Sequence, residues 1–491
     1  MIAELKKLAK HSGIYGLGIV GSKLVGFVML PVYTLYLRPA DYGMLELLDV
    51  LVFLATNFAS MGVYGAVFRF YAAYTSQQDK KEVIGTALYF TGTCSLLVAS
   101  GLFVAAPMIA QGLLGSAGYA HYVRIVGITF FFSNLCELPM AYLQAQERSL
   151  LFVGLGLGRT VFSASLLTLA LAVFQWGVKG VLLAGCLSNA VVSMVLLKTV
   201  LRNIPRRLVR QKLTEMLHYG LPMVLGSLAS FVLTFSDRFF LRTFGTLAEV
   251  GIYALGYKLA MVVAVLTNSP FALTWQWQQF DLAAKKDAKD LYAKIQLYQL
   301  LVSLLVGVAV CLLARDVLRI LTPENYWDSY RIVPLIALCY ILDNSRAVIL
   351  SGILVRGVTH YHAWIGGVVA VADLALNYLL IPRYLAMGAA LATLAAYTLR
   401  LGLTYLAAQR VYSIKYDRVR SSLALGSAVF VYMLSMVVRL PVIPSIIVNL
   451  GLIGVFGLMA LLLLQPHERS MVRQISWSAA QRVLATLGRQ P

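Results

Sequence analysis

Ala40-Asp41-Tyr42-Gly43 and Ala248-Glu249-Val250-Gly251 stand 208 residues apart in the chain. Each reads small–acid–bulky–Gly, and each begins the apolar segment that follows another long apolar segment. Six apolar segments precede the basic stretch Arg202-Asn-Ile-Pro-Arg-Arg-Leu-Val-Arg-Gln-Lys212, six follow it, and two more stand beyond the repeat. A translation by six membrane spans, an even number, preserves orientation across a bilayer. The spacing therefore reads as a parallel repeat about an axis along the membrane normal, with two lobes facing each other across a central cavity.

The composition leads to the same class. Of 491 residues, 60% are hydrophobic and 13% charged, and the mean hydropathy is +0.78. A soluble domain carries roughly 25% charged residues, and one spanning helix needs ~20 apolar residues. The apolar segments lie at 12–37, 44–72, 84–110, 121–144, 150–175, 179–198, 215–243, 250–271, 294–314, 329–355, 360–381, 386–409, 422–438 and 443–464. The expectation is an all-α polytopic membrane protein of about 14 transmembrane helices. Residues 1–210 form an N-terminal six-helix lobe, 211–412 a C-terminal six-helix lobe, 413–465 an additional two-helix hairpin, and 466–491 a basic cytoplasmic tail read as a surface-lying amphipathic helix.

The net charge of +20 points to nucleic acid in a soluble protein, but here the position of each charge matters more than the sum. With the N-terminus inside, inside connections and tails carry 25 Lys/Arg, outside connections 8, and apolar segments 8. That bias places both termini in the cytoplasm. The basic stretch 202–212 then reads as a topology signal in contact with anionic lipid heads. The first apolar run is too long for a cleavable signal peptide. The five cysteines lie in or beside apolar runs without metal-ligand spacing.

No motif supports nucleotide hydrolysis, zinc peptidase or serine hydrolase chemistry. Gly16-Leu-Gly-Ile-Val-Gly21-Ser22-Lys23 has its Ser and Lys in the wrong order for a phosphate-binding loop and lies inside an apolar helix. Gly154, Gly156 and Gly158 read as small residues that let helices approach. No metal or cofactor is expected. The chemistry lies in the charges within the apolar segments, which are Lys23, Arg69, Arg124, Arg159, Arg238, Lys258, Arg346 and Arg400. Each costs about 2.5–3.5 kcal/mol at the centre of a bilayer unless it is paired or wet.

Arg69 and Arg124 lie near segment ends and snorkel, and Asp237 and Arg238 lie near the outer end of the seventh segment. Asp343 and Arg346, three apart, pair on one helix face. Asp373 is expected to pair with Arg346 or Arg400, and Glu137 with Arg124 or Lys23, which leaves Arg159 and Lys258 without an acid. Deep cations thus outnumber deep anions. Lys23, Arg159, Lys258 and Arg346 are the candidate ligands of an anionic head group such as a diphosphate. Asp343, Asp373, Arg400 and Glu137 are the candidate ion-pairing or ion-coupling residues.

Several of these stretches resemble a known family. Gly16-Leu-Gly18, Pro31 and Leu37-Arg-Pro-Ala-Asp-Tyr-Gly43 are similar to the start of the prokaryotic polysaccharide transporters of the multidrug/oligosaccharidyl-lipid/polysaccharide exporter superfamily. Tyr219-Gly-Leu-Pro-Met223, Ser236-Asp-Arg238, Glu249-Val-Gly-Ile-Tyr253 and Lys258-Leu-Ala260 resemble that family's second half. The resemblance implies a flippase in the bacterial inner membrane. It would carry an undecaprenyl-diphosphate-linked glycan from the cytoplasmic to the outer leaflet by alternating access, for lipopolysaccharide or exopolysaccharide synthesis. In the related lipid II flippase, cations on the first and eighth helices line the cavity, and Lys23 and Lys258 occupy those helices here. The last two helices resemble the pair that cradles the polyprenyl tail. Membrane lipids, a polysaccharide polymerase and chain-length machinery are the implied partners, and no enzymatic activity is implied.

Two other readings compete. A cation-coupled drug exporter of the same fold favours an acidic or neutral cavity. A membrane glycan polymerase or ligase needs a catalytic outer loop, for which Arg315 to Tyr330 offers only Asp316, Glu324 and Asp328 beside Arg315 and Arg319.

Overall fold

The computed structural model describes residues 18, 21–146, 148–201, 204–205, 207–358, 360–437 and 440–470, and the expected amphipathic tail lies almost wholly outside them. Among the described residues there is no strand. The helices are α1 (21–36), α2 (Pro39–Ser60), α3 (Val63–Ala73), α4 (Gln77–Val104), α5 (Ala106–Leu114), α6 (Ala120–Ala145), α7 (Ser149–Thr168), α8 (Gly177–Leu201), α9 (Arg210–Phe244), α10 (Leu247–Ala260), α11 (Ser269–Ala283), α12 (Ala288–Leu321), α13 (Val333–Val355), α14 (His360–Val411), α15 (Arg418–Val437) and α16 (Val442–Leu463).

Twelve helices are long and apolar enough to cross a membrane among the described residues, against the fourteen expected segments. The difference has two sources. The first segment is described as helix continuously only over 21–36, a run of 16 residues. In addition α14 runs for 52 residues. At 1.5 Å per residue that is about 78 Å, more than twice a bilayer core of about 30 Å. It breaks at Leu385, with φ 46° and ψ −126°, inside the expected connection between segments 360–381 and 386–409.

Local chemistry sets the ends. Ser76 accepts from the Gln78 amide to cap α4. Thr246 accepts from the Glu249 amide to cap α10. Asp417 accepts from the Arg420 amide at 2.9 Å before α15, and this bond holds its carboxyl below the usual range. The second segment is interrupted where Met61 (φ 45°) and Gly62 (φ 74°) enter the left-handed region between α2 and α3. Its repeat mate is interrupted by a π-helical turn, Ala264–Asn268, between α10 and α11.

The repeat is visible in the packing. α2 begins at Pro39 and α10 at Leu247, again 208 residues apart, and the two helices pack together at those ends. A Cβ on Gly43 would fall 2.0 Å from the Leu247 carbonyl oxygen. One on Gly251 would fall 2.0 Å from the Pro39 carbonyl oxygen. The two tetrapeptides that announce the repeat are thus the pair on which its halves meet, backbone to backbone, as only glycine allows.

At this Pro39 end a single apolar core runs through both halves, joining Leu37, Tyr42 and Leu48 to Val250, Tyr253 and Ile332. Toward the Arg210 end the core divides. One cluster joins Val63, Ile84 and Leu138 of the first half to Met216 of α9, and two others (Ile349, Ile365, Tyr397; Trp275, Tyr292, Ile414) lie on the second half's side. α9 bridges the halves. Its first turn sits against α4, with Lys212 at 2.7 Å from Asp79 and 2.8 Å from Glu82. Gly220 of α9 touches the backbone at Gly62, and its far end packs on α14. α15 and α16 lean on α12, where buried Asp316 accepts from Ser445 (2.8 Å) and Asn449 (3.1 Å).

A side chain on Gly251 should wedge the Pro39 end open. In a chain with its native cysteines replaced, Thr34→Cys reports on this: Thr34 is buried beside the Leu321 carbonyl across the interface. Adding Gly251→Val is expected to raise its labelling by a membrane-impermeant maleimide at least several-fold. Unchanged labelling would show that the glycine crossing does not seal this end.

Candidate functional site

A cavity of about 590 Å³ lies between α1 and α7, reaching α6 and α8. Among the described residues its wall carries Lys23, Arg159, Ser22, Thr160, Ser163, Ser188, Asn189 and Tyr33, and no carboxylate. The size suits a small ligand or the head of a larger one. Helical spacing builds the polar stripe: Arg159, Thr160 and Ser163 share one face of α7 at i, i+1 and i+4.

Arg159 is held in place by donating to Asn189 Oδ1 (2.6 Å) and Ser133 Oγ (3.1 Å), with Glu137 at 3.8 Å. Lys23 is exposed to the cavity. The Ser188 hydroxyl lines the same wall, is buried, and has no hydrogen-bond partner among the described residues. Guanidinium, ammonium, hydroxyl and amide groups with no acid among them suit a phosphate oxygen and sugar hydroxyls.

The four candidate cations do not converge. Lys23 and Arg159 share the cavity. Lys258 lies past its end, two rings away, since Tyr33 in the cavity wall contacts the Tyr42 ring at 6.0 Å between centroids and Lys258 sits over Tyr42 at 4.8 Å. Arg346 is elsewhere, buried in the second half, with its Nε 2.7 Å from Asp343. Arg400 reaches the same Asp343 oxygen at 3.4 Å.

The expected pairings change accordingly. Lys258 has an acid partner after all, Glu46 of α2, at 3.2 Å. Arg159 has Glu137. Glu137 does not pair with Arg124, because 13 residues along one helix separate them by about 20 Å; Arg124 stacks on Phe103 instead. Asp373 meets neither Arg346 nor Arg400, both already on Asp343. It accepts from Ser236 Oγ (2.9 Å) and Asn377 Nδ2 (3.0 Å). Asp237 and Arg238, expected near an easy outer end, are both almost wholly buried and bonded to each other at 2.7 Å. Tyr253 donates to Asp237. Arg69 lies over the Tyr219 ring at 4.4 Å.

Glu46 is the residue that sequence reasoning missed. Its position three residues after Gly43, one helical turn along the face that meets α10, was the available signal.

Asp343 alone balances two guanidiniums in a buried setting. Asp343→Asn is expected to destabilise the protein by about 3–5 kcal/mol, the cost of an uncompensated buried charge. Adding Arg346→Gln should restore part of it, read as the thermal midpoint in detergent. Equal midpoints for Asp343→Asn and the parent would rule out this structural role.

The comparisons with known proteins agree with this architecture. A family described as Polysaccharide biosynthesis protein matches residues 8–275, more than half of the chain. A protein of the Lsg locus of Haemophilus influenzae is 25% identical over 265 residues, 53% of this chain and 63% of its own length. An uncharacterized membrane protein of the same organism is 23% identical over 264 residues, 52% of this chain and 62% of its own. The chain thus spans less than two thirds of the length of these relatives. Among solved structures, the lipid II flippase MurJ in an inward closed conformation superposes with a TM-score of 0.74 at 11% identity, covering 90% of this chain and 97% of that one. An inward-facing multidrug resistance MATE family transporter of the MOP superfamily gives 0.62 at 15% identity, covering 81% and 94%. At these identities the likeness carries the fold, a two-lobed membrane helix bundle.

Proposed function

The chain belongs to the polysaccharide biosynthesis protein family, and from that premise we propose that it is a flippase moving an undecaprenyl-diphosphate-linked oligosaccharide from the cytoplasmic to the outer leaflet. The observation that carries the reading is the cavity wall, which among the described residues has two cations, the hydroxyl or amide side chains of Ser22, Thr160, Ser163, Ser188 and Asn189, and no carboxylate in the lining itself, with Glu137 behind Arg159 at 3.8 Å. Two cations against one looser acid favour a diphosphate over an organic cation, which disfavours a drug exporter.

The positive-inside bias puts the Arg210 end in the cytoplasm and the Pro39 end outside. The form described here, with its core continuous at the Pro39 end, is then closed to the outside. The diphosphate enters between Lys23 and Arg159. The glycan meets the hydroxyl and amide lining, and the polyprenyl tail stays in lipid beside α15 and α16. A bare charge in a medium of low dielectric costs on the order of 20 kcal/mol by Born solvation, so a polar path for the head group is what the protein supplies. Release to the outer leaflet requires α2 and α10 to part at Gly43 and Gly251.

Asp373 is the proposed seat of coupling. It is buried, it has no cation partner, and its Oδ1 and that of Asn377 lack hydrogen-bond partners among the described residues. A proton or small cation would satisfy both. Asp343, Arg400 and Glu137 hold the helices by ion pairing. In the cell, a polysaccharide polymerase and chain-length machinery would take the product onward.

Reconstitution in liposomes with a fluorescent undecaprenyl-diphosphate oligosaccharide tests this. Lys23→Gln and Arg159→Gln should each slow leaflet exchange about tenfold, the value of one charge-assisted hydrogen bond. Asp373→Asn should abolish the response to an ion gradient. If the parent protein exchanges no anionic lipid-linked sugar but exports organic cations or lengthens glycans, the reading fails in favour of those activities.

A further inference from the structure

We infer that Glu46 is an internal stand-in for the substrate's phosphate, and that Lys258 reaches the substrate by handing Glu46 over to Arg238. This rests on the flippase reading and concerns how its site is switched. Glu46 projects from α2 of the first lobe toward two cations of the second. Its Oε2 lies 3.2 Å from Lys258 Nζ, and its Oε1 lies 3.8 Å from Arg238 Nε.

The two cations are held differently. The Lys258 side chain is 42% exposed, while those of Glu46 and Arg238 are 9% and 2% exposed. An ammonium has three protons; two are directed at Glu46 and at Tyr42 Oη, 3.0 Å away. Lys258 is therefore half free already, at the end of the cavity marked by Tyr33 and Tyr42. Arg238 is locked. Its Nη1 donates to Asp237 and to the Thr234 carbonyl, and Tyr253 and Tyr257 lie against its guanidinium. Its Nε is buried and has no hydrogen-bond partner among the described residues.

A buried carboxylate that loses its only partner is strongly destabilising, and a buried N–H without an acceptor is costly as well. Here the two deficits cancel. If Lys258 swings to a phosphate, Glu46 closes from 3.8 Å to an ordinary N–H···O distance of about 2.9 Å on Arg238 Nε. That move satisfies the orphaned donor and keeps the carboxylate paired. The hand-off exchanges a contact between α2 and α10 for one between α2 and α9, so Glu46 stays paired across the lobes while Lys258 is released.

Glu46 must then compete with the substrate for Lys258. The test uses the full chain in nanodiscs and undecaprenyl diphosphate without glycan as probe, with Kd measured for the parent, Glu46→Gln, Lys258→Ala and the double variant. Glu46→Gln should tighten binding about fivefold or more. Lys258→Ala should weaken it, and in that background Glu46→Gln should have no effect. Glu46→Asp, which keeps the charge but draws it back by one methylene, should act in the same direction with a smaller size, and it serves if the Gln variant does not fold. Weaker or unchanged binding in Glu46→Gln, or equal tightening with and without Lys258, overturns the hand-off alone. No binding by the parent overturns the flippase reading and the hand-off with it.

Discussion

A cation inside a membrane helix must be paired, stacked or wet, and every functional feature of this bundle follows from how its eight deep cations meet that demand. Arg69 and Arg124 lie over aromatic rings. Arg238, Arg346 and Arg400 are locked on Asp237 and Asp343. Arg159 is fixed by neutral groups and a looser Glu137, so its guanidinium keeps capacity for another acceptor. Lys23 faces the cavity. Lys258 stands between the two conditions, paired with Glu46 yet half exposed. The groups held by Asp237 and Asp343 tie helices together, and under the proposed flippase reading the cations with spare valence are the ones left to meet an anion.

The second constraint is close approach. Alternating access needs two lobes that seal tightly and still come apart. Seals made of interlocked large side chains are hard to part, while a glycine crossing brings backbone against backbone over a short length. Gly43 and Gly251 provide it at the Pro39 end. Gly62 and Gly220 make a similar contact nearer the Arg210 end, beside the break between α2 and α3. The stretch from α2 into the start of α3 thus meets the second lobe at two glycine points, Gly43 and Gly62, with Glu46 between them.

The fold class was legible because membrane solvation writes itself along the chain. Each span must be a self-satisfied helix of sufficient length, so apolar runs, their number and the 208-residue repeat are local facts. The break in α14 at Leu385 also falls in a connection that the hydropathy pattern marks. Which charged residues are exceptional was legible as well, since rarity in an apolar run is a property of sequence.

Which charges meet was not legible, because partners on different helices, from 22 residues apart (Glu137 and Arg159) to 212 (Glu46 and Lys258), are set by helix rotation and crossing. Sequence spacing predicts only the pair on one turn, Asp343 with Arg346. Asp373 looked like a partner for Arg346 or Arg400, yet α9 brings Ser236 to it and leaves both arginines on Asp343. Glu46 drew no notice in the sequence, and it is α10 that sets Lys258 beside it. The chain by itself determined the number and kind of elements and the sign of the charges they carry. Only the tertiary structure decided which cations among the described residues are spent on carboxylates, because an ion pair needs N···O contact within about 4 Å, a precision of helix rotation and crossing that hydropathy does not carry.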